Sequence, residues 1–240
     1  MIYNKFKEDI MEEIIFKTKD LIFNEFIHFP NLEIPKNKVT FIFGKSGSGK
    51  TTLFKLFNGT LTQSSGDIFY NNENILDLDT INLRKEVLLI SQSVFLFEGN
   101  IRENFIKFYK YRGETLPNDS KIKYFLDICS LDFPLDKNCE EMSGGEKQRL
   151  YMAIFLSFKP KVVLLDEPTS ALDERNSHIV IGNIILFSKE NRITLLIVTH
   201  DHELAKNFAD KVVNIEESNS EGIEDFDSED AEEFKSKING

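Results

Sequence analysis

Short apolar runs alternate with stretches of helical spacing along most of this chain. Val39-Thr40-Phe41-Ile42-Phe43, Val87-Leu88-Leu89-Ile90 and Val162-Val163-Leu164-Leu165 read as strands. The second has no polar alternation, as expected of a strand buried on both faces. Beyond it the signals take turns: residues 162–165 as strand, 177–188 as helix, 193–198 as strand, 202–209 as helix and 212–215 as strand. Such alternation predicts an α/β fold with a mainly parallel sheet and helices on both faces. The N-terminal part has another character. Residues 14–16, 21–23 and 26–34 read as separate short strands, the last broken by Pro30 and closed by Pro35, and residues 66–72 as a strand running into a polar turn. These pieces predict an antiparallel layer. Residues 101–108 and 121–129 carry apolar positions at helical spacing, parted by the turn-rich 113–119, which predicts a small helical insert.

Composition changes this picture in two places. The chain has 240 residues, 41% hydrophobic and 29% charged, enough to bury one domain with a subdomain. Its net charge of −11 is local: ten acidic and no basic residues lie between Glu216 and Phe234, so the remainder carries a net −1. A broad basic surface for nucleic acid is therefore not expected, although a local patch stays open. Residues 216–240 are expected to form a solvated acidic tail, with a regulatory role as the alternative. Cys129 and Cys139 are the only cysteines and no secretory leader is recognisable, so two reduced thiols are expected rather than a redox or metal pair. No apolar run approaches the roughly 20 residues needed to cross a bilayer.

The chemistry concentrates after the first of those runs. Gly44-Lys45-Ser46-Gly47-Ser48-Gly49-Lys50-Thr51 fits the pattern of Gly, four residues, Gly-Lys, then Ser or Thr, and Thr52 continues it into a helical pattern. Strand, glycine-rich loop and helix together make a phosphate cradle of backbone N–H groups at a helix N-terminus. Lys50 is placed to reach the outer phosphates and Thr51 to hold Mg²⁺. A second apolar run ends in Asp166-Glu167. The end of a strand in an open α/β sheet is where ligands bind. Asp166 there can help hold Mg²⁺, and Glu167 can orient or deprotonate an attacking water. Ser143, Gly144 and Gly145 precede a helical pattern over 146–158, which alone would be a helix cap.

Three further stretches give the order of motifs a family likeness. Ser143-Gly144-Gly145-Glu146-Lys147-Gln148-Arg149 stands before Asp166-Glu167-Pro168, Ser170-Ala171-Leu172-Asp173 follows it, and Val198-Thr199-His200-Asp201 comes later. With Gln92 after the run at 87–90, this order closely resembles the ATP-binding cassette (ABC) ATPases, from about residue 14 to 215. The resemblance implies a P-loop NTPase core with a mainly parallel sheet, an N-terminal antiparallel β subdomain and a small helical subdomain. It implies ATP and Mg²⁺ as ligands, with residues 44–52, Ser143, Gly144, Gly145 and Asp173 binding nucleotide. Thr51, Gln92 and Asp166 would serve the metal, and Glu167, His200 and Gln92 catalysis. The signature at Ser143 would complete the site of a second subunit. Phe23 is the first choice for stacking on adenine, with Phe16 behind it and core packing open for either. Met142 stands where Leu is usual and Glu146 where Gln is commonest, both mild departures, and Asn37-Lys38 replaces a usual Gly-Glu.

The domain expected is 1–215, with the helical insert at about 94–158 and the acidic tail at 216–240. The resemblance implies a transport ATPase working as a dimer, a homodimer by first choice. It would lie in the cytoplasm on the inner face of the membrane through a separate permease, with no nucleic acid as partner. The stretch from Leu96 to Asn104 resembles exporter-type cassettes, with Phe95 and Phe97 as candidates for a docking groove or for insert core. The compact insert resembles the stand-alone ATPases of metal (iron) exporters. A non-transport cassette ATPase acting on DNA or ribosomes is the alternative. Cargo, direction and the identity of the sister subunit are not written in this chain.

Overall fold

A computed structural model describes residues 12–168 and 174–215. Its centre is a five-stranded all-parallel sheet of β4 (Val39–Phe43), β7 (Val87–Ile90), β8 (Val162–Asp166), β9 (Thr194–Val198) and β10 (Lys211–Asn214), in the order β10-β4-β9-β8-β7. Every residue of β4, β8 and β9 is buried. Because successive side chains point to opposite faces, each strand contributes to two cores. Phe41, Phe43, Ile90, Val163, Leu165, Leu195 and Ile197 enter one of them. Ile42, Val87, Leu164, Leu196 and Val198 enter the other.

The second core is closed by α1 (Lys50–Phe57) and by an antiparallel sheet. That sheet holds β1 (Ile14–Phe23), β2 (Ile27–His28), β3 (Glu33–Pro35), β5 (Ser65–Tyr70) and β6 (Glu73–Asn74). Here the structure departs from the sequence expectation of two strands at 14–16 and 21–23. They are one strand, with a shift of register against β5 between Lys19 and Ile22. The polar stretch that interrupts the apolar pattern is a bulge rather than a turn. Asp20 takes φ 48°, and Gly66 of β5 lies so close that a Cβ on it would meet the Asp20 carbonyl oxygen at 2.1 Å. A bulge of this kind keeps pairing going across an interrupted pattern.

The first core is closed by α3 (Ile101–Arg112), α4 (Asp119–Ile128), α5 (Gly144–Ser157), α6 (Glu174–Glu190) and α7 (His202–Phe208). The short α2 (Thr80–Glu86) leads into β7 on the other side. α3 and α4 match the helices expected at 101–108 and 121–129, and with α5 they lie within 94–158. Asn100 and Glu103 make a reciprocal capping box at the start of α3, and Gly113 ends that helix in the left-handed region. Asn118 caps α4. α5 carries the chain from the insert back to the sheet, with Leu150, Ala153 and Ile154 fully buried. Both cysteines are buried free thiols, and burial raises that of Cys129.

Phe16 is wholly buried, stacked on Phe57 of α1 at 4.4 Å with 6° between the planes and tilted against Tyr70. It holds the antiparallel sheet to the helix that follows the phosphate loop. Phe16→Ala is expected to cost about 3–5 kcal/mol, read as a lower denaturant midpoint. A loss below about 1 kcal/mol would show that this contact does not carry the junction.

Candidate functional site

The strands that carry the expected chemistry all end at one edge of the parallel sheet. β4 runs into residues 44–49, β8 into Glu167, β9 into Thr199 and His200, and β7 into Gln92. With the order β4-β9-β8-β7, one sheet edge collects the four motifs that the sequence spreads over more than 150 residues.

The loop after β4 is shaped by what presses on it. A Cβ on Gly44 would meet the carbonyl oxygen of Ile215 at 2.2 Å, so only glycine admits the end of β10 there. Gly49, with φ 92°, turns the chain into α1. Lys50 is buried, and its ammonium donates to the carbonyls of Gly44 at 2.7 Å and Lys45 at 2.8 Å. The side chain is thus folded into the loop, with its charge held by two loop carbonyls. Lys45, Ser46 and Gly47 line the exposed rim, while the Ser48 hydroxyl is buried and has no hydrogen-bond partner. A buried polar atom without a partner, beside a fixed cation and a helix N-terminus, fits an anion with several oxygens.

Thr51 and Asp166 meet. The threonine hydroxyl lies near the Asp166 carboxylate and favours its ionised form, bringing the first turn of α1 beside the end of β8. Burial is the main cause that holds the Asp166 carboxyl above its usual range. The Thr51 hydroxyl opposes it, Glu167 adds to it, and Lys55 and Lys50 oppose it. A hydroxyl and a carboxylate near each other beside a glycine-rich loop are a donor set suited to Mg²⁺.

Glu167 leaves the strand with φ 49°, its N–H donating to the Val198 carbonyl at 3.0 Å. A glutamate in the left-handed region costs about 1 kcal/mol or more. The bend carries its carboxylate off the sheet toward His200, with 3.3 Å between Oε1 and Nε2. The backbone of the His200 turn is also held: Asp201 N–H donates to Thr199 Oγ1, and Asp201 Oδ1 caps α7 by accepting from the Leu204 N–H.

Ser143 and Gly144 lie exposed at the N-terminus of α5, and a Cβ on Gly144 would meet nothing within 4 Å. Glu146 is part of a second capping box: its carboxylate accepts from the Ser143 N–H at 2.7 Å, and its own N–H donates to the Ser143 hydroxyl oxygen. The Ser143 backbone and then its side chain hold the Glu146 carboxyl below its usual range. Glu in place of Gln therefore strengthens this helix end. Gln92 lines an open cleft of about 470 Å³ together with Leu96, Phe97, Cys139, Gly144 and Gln148. The cleft puts Gln92 on the insert side of the sheet edge.

Of the two aromatic candidates, Phe16 is core. Phe23 is half-buried at the end of β1 and pairs with Ile27, whose side chain sits 2.9 Å from where a Cβ on Gly49 would be. The β1–β2 hairpin therefore lies against the loop. Its turn also holds Phe26, 85% exposed, which the sequence reading assigned to the following strand. Two histidines outside the motifs have definite places. His178 of α6 bonds Asp201 at 2.8 Å, and His202 stacks on Phe43, next to Gly44, at 4.4 Å. No local signal could have found either, since both contacts join separate elements. Asp173 lies outside the described residues, as does the acidic tail.

A family profile described as ABC transporter matches residues 27–170. The probable iron export ATP-binding protein FetA of Escherichia coli K12 is 37% identical over 187 residues, 78% of this chain and 82% of that protein. The spermidine/putrescine import ATP-binding protein PotA of Borreliella afzelii is 34% identical over 191 residues, 78% of this chain and 54% of that one. Among solved structures, cbiO1 from Clostridium perfringens, part of the ABC transporter complex cbiONQ, aligns with a TM-score of 0.74 at 30% identity, covering 86% of each chain.

Asp166 supplies a test independent of turnover. Its carboxyl keeps its proton more tightly folded than unfolded, so it contributes stability at low pH that is lost as the pH rises from the ordinary value of about 3.9 through the raised native one. Asp166→Asn should therefore raise the melting temperature of the nucleotide-free protein at pH 7. The gain should shrink as the pH falls toward the ordinary carboxylate range. A lower melting temperature at pH 7 would show that the ionised carboxylate is a net stabiliser.

Proposed function

The chain belongs to the ABC transporter family, and we propose that it is the subunit that binds and hydrolyses ATP for a separate membrane permease. The observation that carries this reading is the loop filled by Lys50, whose ammonium is held by the Gly44 and Lys45 carbonyls, with Asp166 and the Glu167–His200 pair at the same sheet edge. Family membership makes the chain an ABC-type ATPase. The residue roles below are the proposal.

Residues 44–52 hold the triphosphate through backbone N–H groups, with Lys50 turning from its loop carbonyls to the β- and γ-phosphates. Thr51, Gln92 and Asp166 would hold Mg²⁺, which when bound neutralises charge on the phosphates. Glu167 positions the water that attacks the γ-phosphate and takes up its proton, while His200, 3.3 Å away, holds that carboxylate in place. The base stacks on an aromatic of the β1–β2 hairpin, Phe23 by first choice and Phe26 by exposure. The outward-facing end of α5 supports a head-to-tail dimer, in which Ser143, Gly144 and Gly145 of one copy cover the γ-phosphate held by the other. Asp173 would join that interface.

No helix among the described residues is long and apolar enough to cross a membrane; the permease would supply the contact with it. Phe95 is 58% exposed and packs edge-on against Phe97, which stacks on the exposed Tyr111. Phe95 is thus surface rather than insert core, which supports docking beside the Gln92 cleft. There, closure of the ATP-bound dimer would shift the permease between two conformations. Metal (iron) export is the finer reading that the FetA likeness supports; the similar level of identity to an importer leaves direction to the permease.

Glu167→Gln should lower kcat by at least a hundredfold while nucleotide binding persists and a dimer accumulates with ATP. Turnover at the parent rate would remove Glu167 from this role. Lys50→Ala should weaken ATP binding roughly ten- to hundredfold in a fluorescent-nucleotide titration. Unchanged affinity would place the phosphates elsewhere.

A further inference from the structure

Asn104 is a fully buried amide in the second turn of α3, and its hydrogen bonds reach three segments. Its Oδ1 accepts from the Phe97 N–H at 2.8 Å, and its Nδ2 donates to the Phe97 carbonyl at 3.0 Å. The side chain pairs with both backbone groups of one residue, as a neighbouring strand would. Residues 91–99 have no helix or strand to hold them, so this pairing sets where the loop after Gln92 lies. The same Nδ2 donates to the Asn100 carbonyl at 3.0 Å and faces Cys139 Sγ at 3.4 Å.

Cys139 belongs to the other bank of the cleft that Gln92 lines. It begins the turn that runs through the buried Met142 to Ser143. Further bonds run alongside: Cys139 N–H donates to the Gly99 carbonyl, and the first-turn N–H groups of Ile101 and Arg102 donate to the carbonyls of Lys137 and Leu135. The approach to Gln92 and the approach to Ser143 are thus bound to the same helix start. Asn104 is the one side chain that touches both banks through hydrogen bonds among the described residues.

We infer that Asn104 is a positioning residue for hydrolysis. It locks the Gln92 loop to the signature segment, so that a movement of Gln92 toward one nucleotide carries Ser143 toward the nucleotide of the second copy. The assignment rests on the roles of Gln92 and Ser143 proposed above. Its chemistry is specific to a primary amide, because the acceptor serves an N–H while the two donor hydrogens serve the carbonyls and the thiol.

The full chain is assayed for ATP turnover and, separately, for nucleotide binding at concentrations where it is monomeric. Asn104→Leu should lower kcat roughly ten- to hundredfold, with monomer ATP affinity within about twofold, since the phosphate loop lies on another element. Asn104→Ser, which keeps a smaller hydrogen-bonding group, should fall between. Ile122→Ala, a cavity in α4 remote from the 91–99 loop in sequence, serves as the control: it should lower the melting temperature but keep kcat within about twofold. Parent-like kcat in Asn104→Leu or Asn104→Ser would overturn the assignment, and so would an equal loss in Ile122→Ala. Failure of the underlying reading would look different: Glu167→Gln and Lys50→Ala would then leave turnover and binding intact.

Discussion

A strand buried on both faces has only its ends left for polar chemistry. β4, β8 and β9 are buried at every position, so the glycine-rich loop, the Asp166-Glu167 pair and His200 stand at or just beyond the ends of those strands. Parallel pairing then puts these ends on the same edge. The placement of the site is thus a by-product of packing: two apolar cores clamp the sheet, and the clamped sheet holds the ends in fixed relation. Side chains on such a frame can be kept in postures they would not choose alone. Glu167 stays in the left-handed region and Asp166 stays buried because the strands under them have nowhere to shift.

The two sides of the sheet have different duties. The α1 side fastens the loop, through Phe57 against Phe16 and through the hairpin of β1 and β2 against Gly49. The other side carries the insert, whose α5 starts at the exposed signature and ends in the core under the sheet. A push on the exposed end of α5 therefore reaches the sheet along a continuous helix. The aromatic cluster of Phe97, Phe108, Tyr151 and Phe155 stiffens the insert around it.

What could be read from the chain alone follows from how local each feature is. Gly44 to Thr51 and Asp166-Glu167 were legible because strand, loop and helix are consecutive in sequence and their chemistry needs those residue types in that order. β1 was misread as two strands because its bulge depends on Gly66, over forty residues away. Phe16 and Phe23 looked alike in a chain with 22 phenylalanines; only the helix that covers one of them tells them apart. Phe26 was taken into a strand because the tight turn at Asn24 and Glu25, both at positive φ, has no glycine to mark it. Asn104 and His178 gave no signal at all, since a buried polar side chain is recognised by partners that only folding supplies.

The strand that leads into the glycine-rich loop is hydrogen-bonded on one side to β9 and on the other to β10, and Ile215, just after β10, presses on Gly44. Both neighbours of β4 are made about 150 or more residues after it. During synthesis at about 5–20 residues per second, that is a wait of roughly 10–30 s in which the loop's residues exist without the sheet that shapes them. A nascent chain therefore has the full phosphate motif long before it has a phosphate site. The topology makes the shaping of this loop wait on strands that lie more than 150 residues downstream.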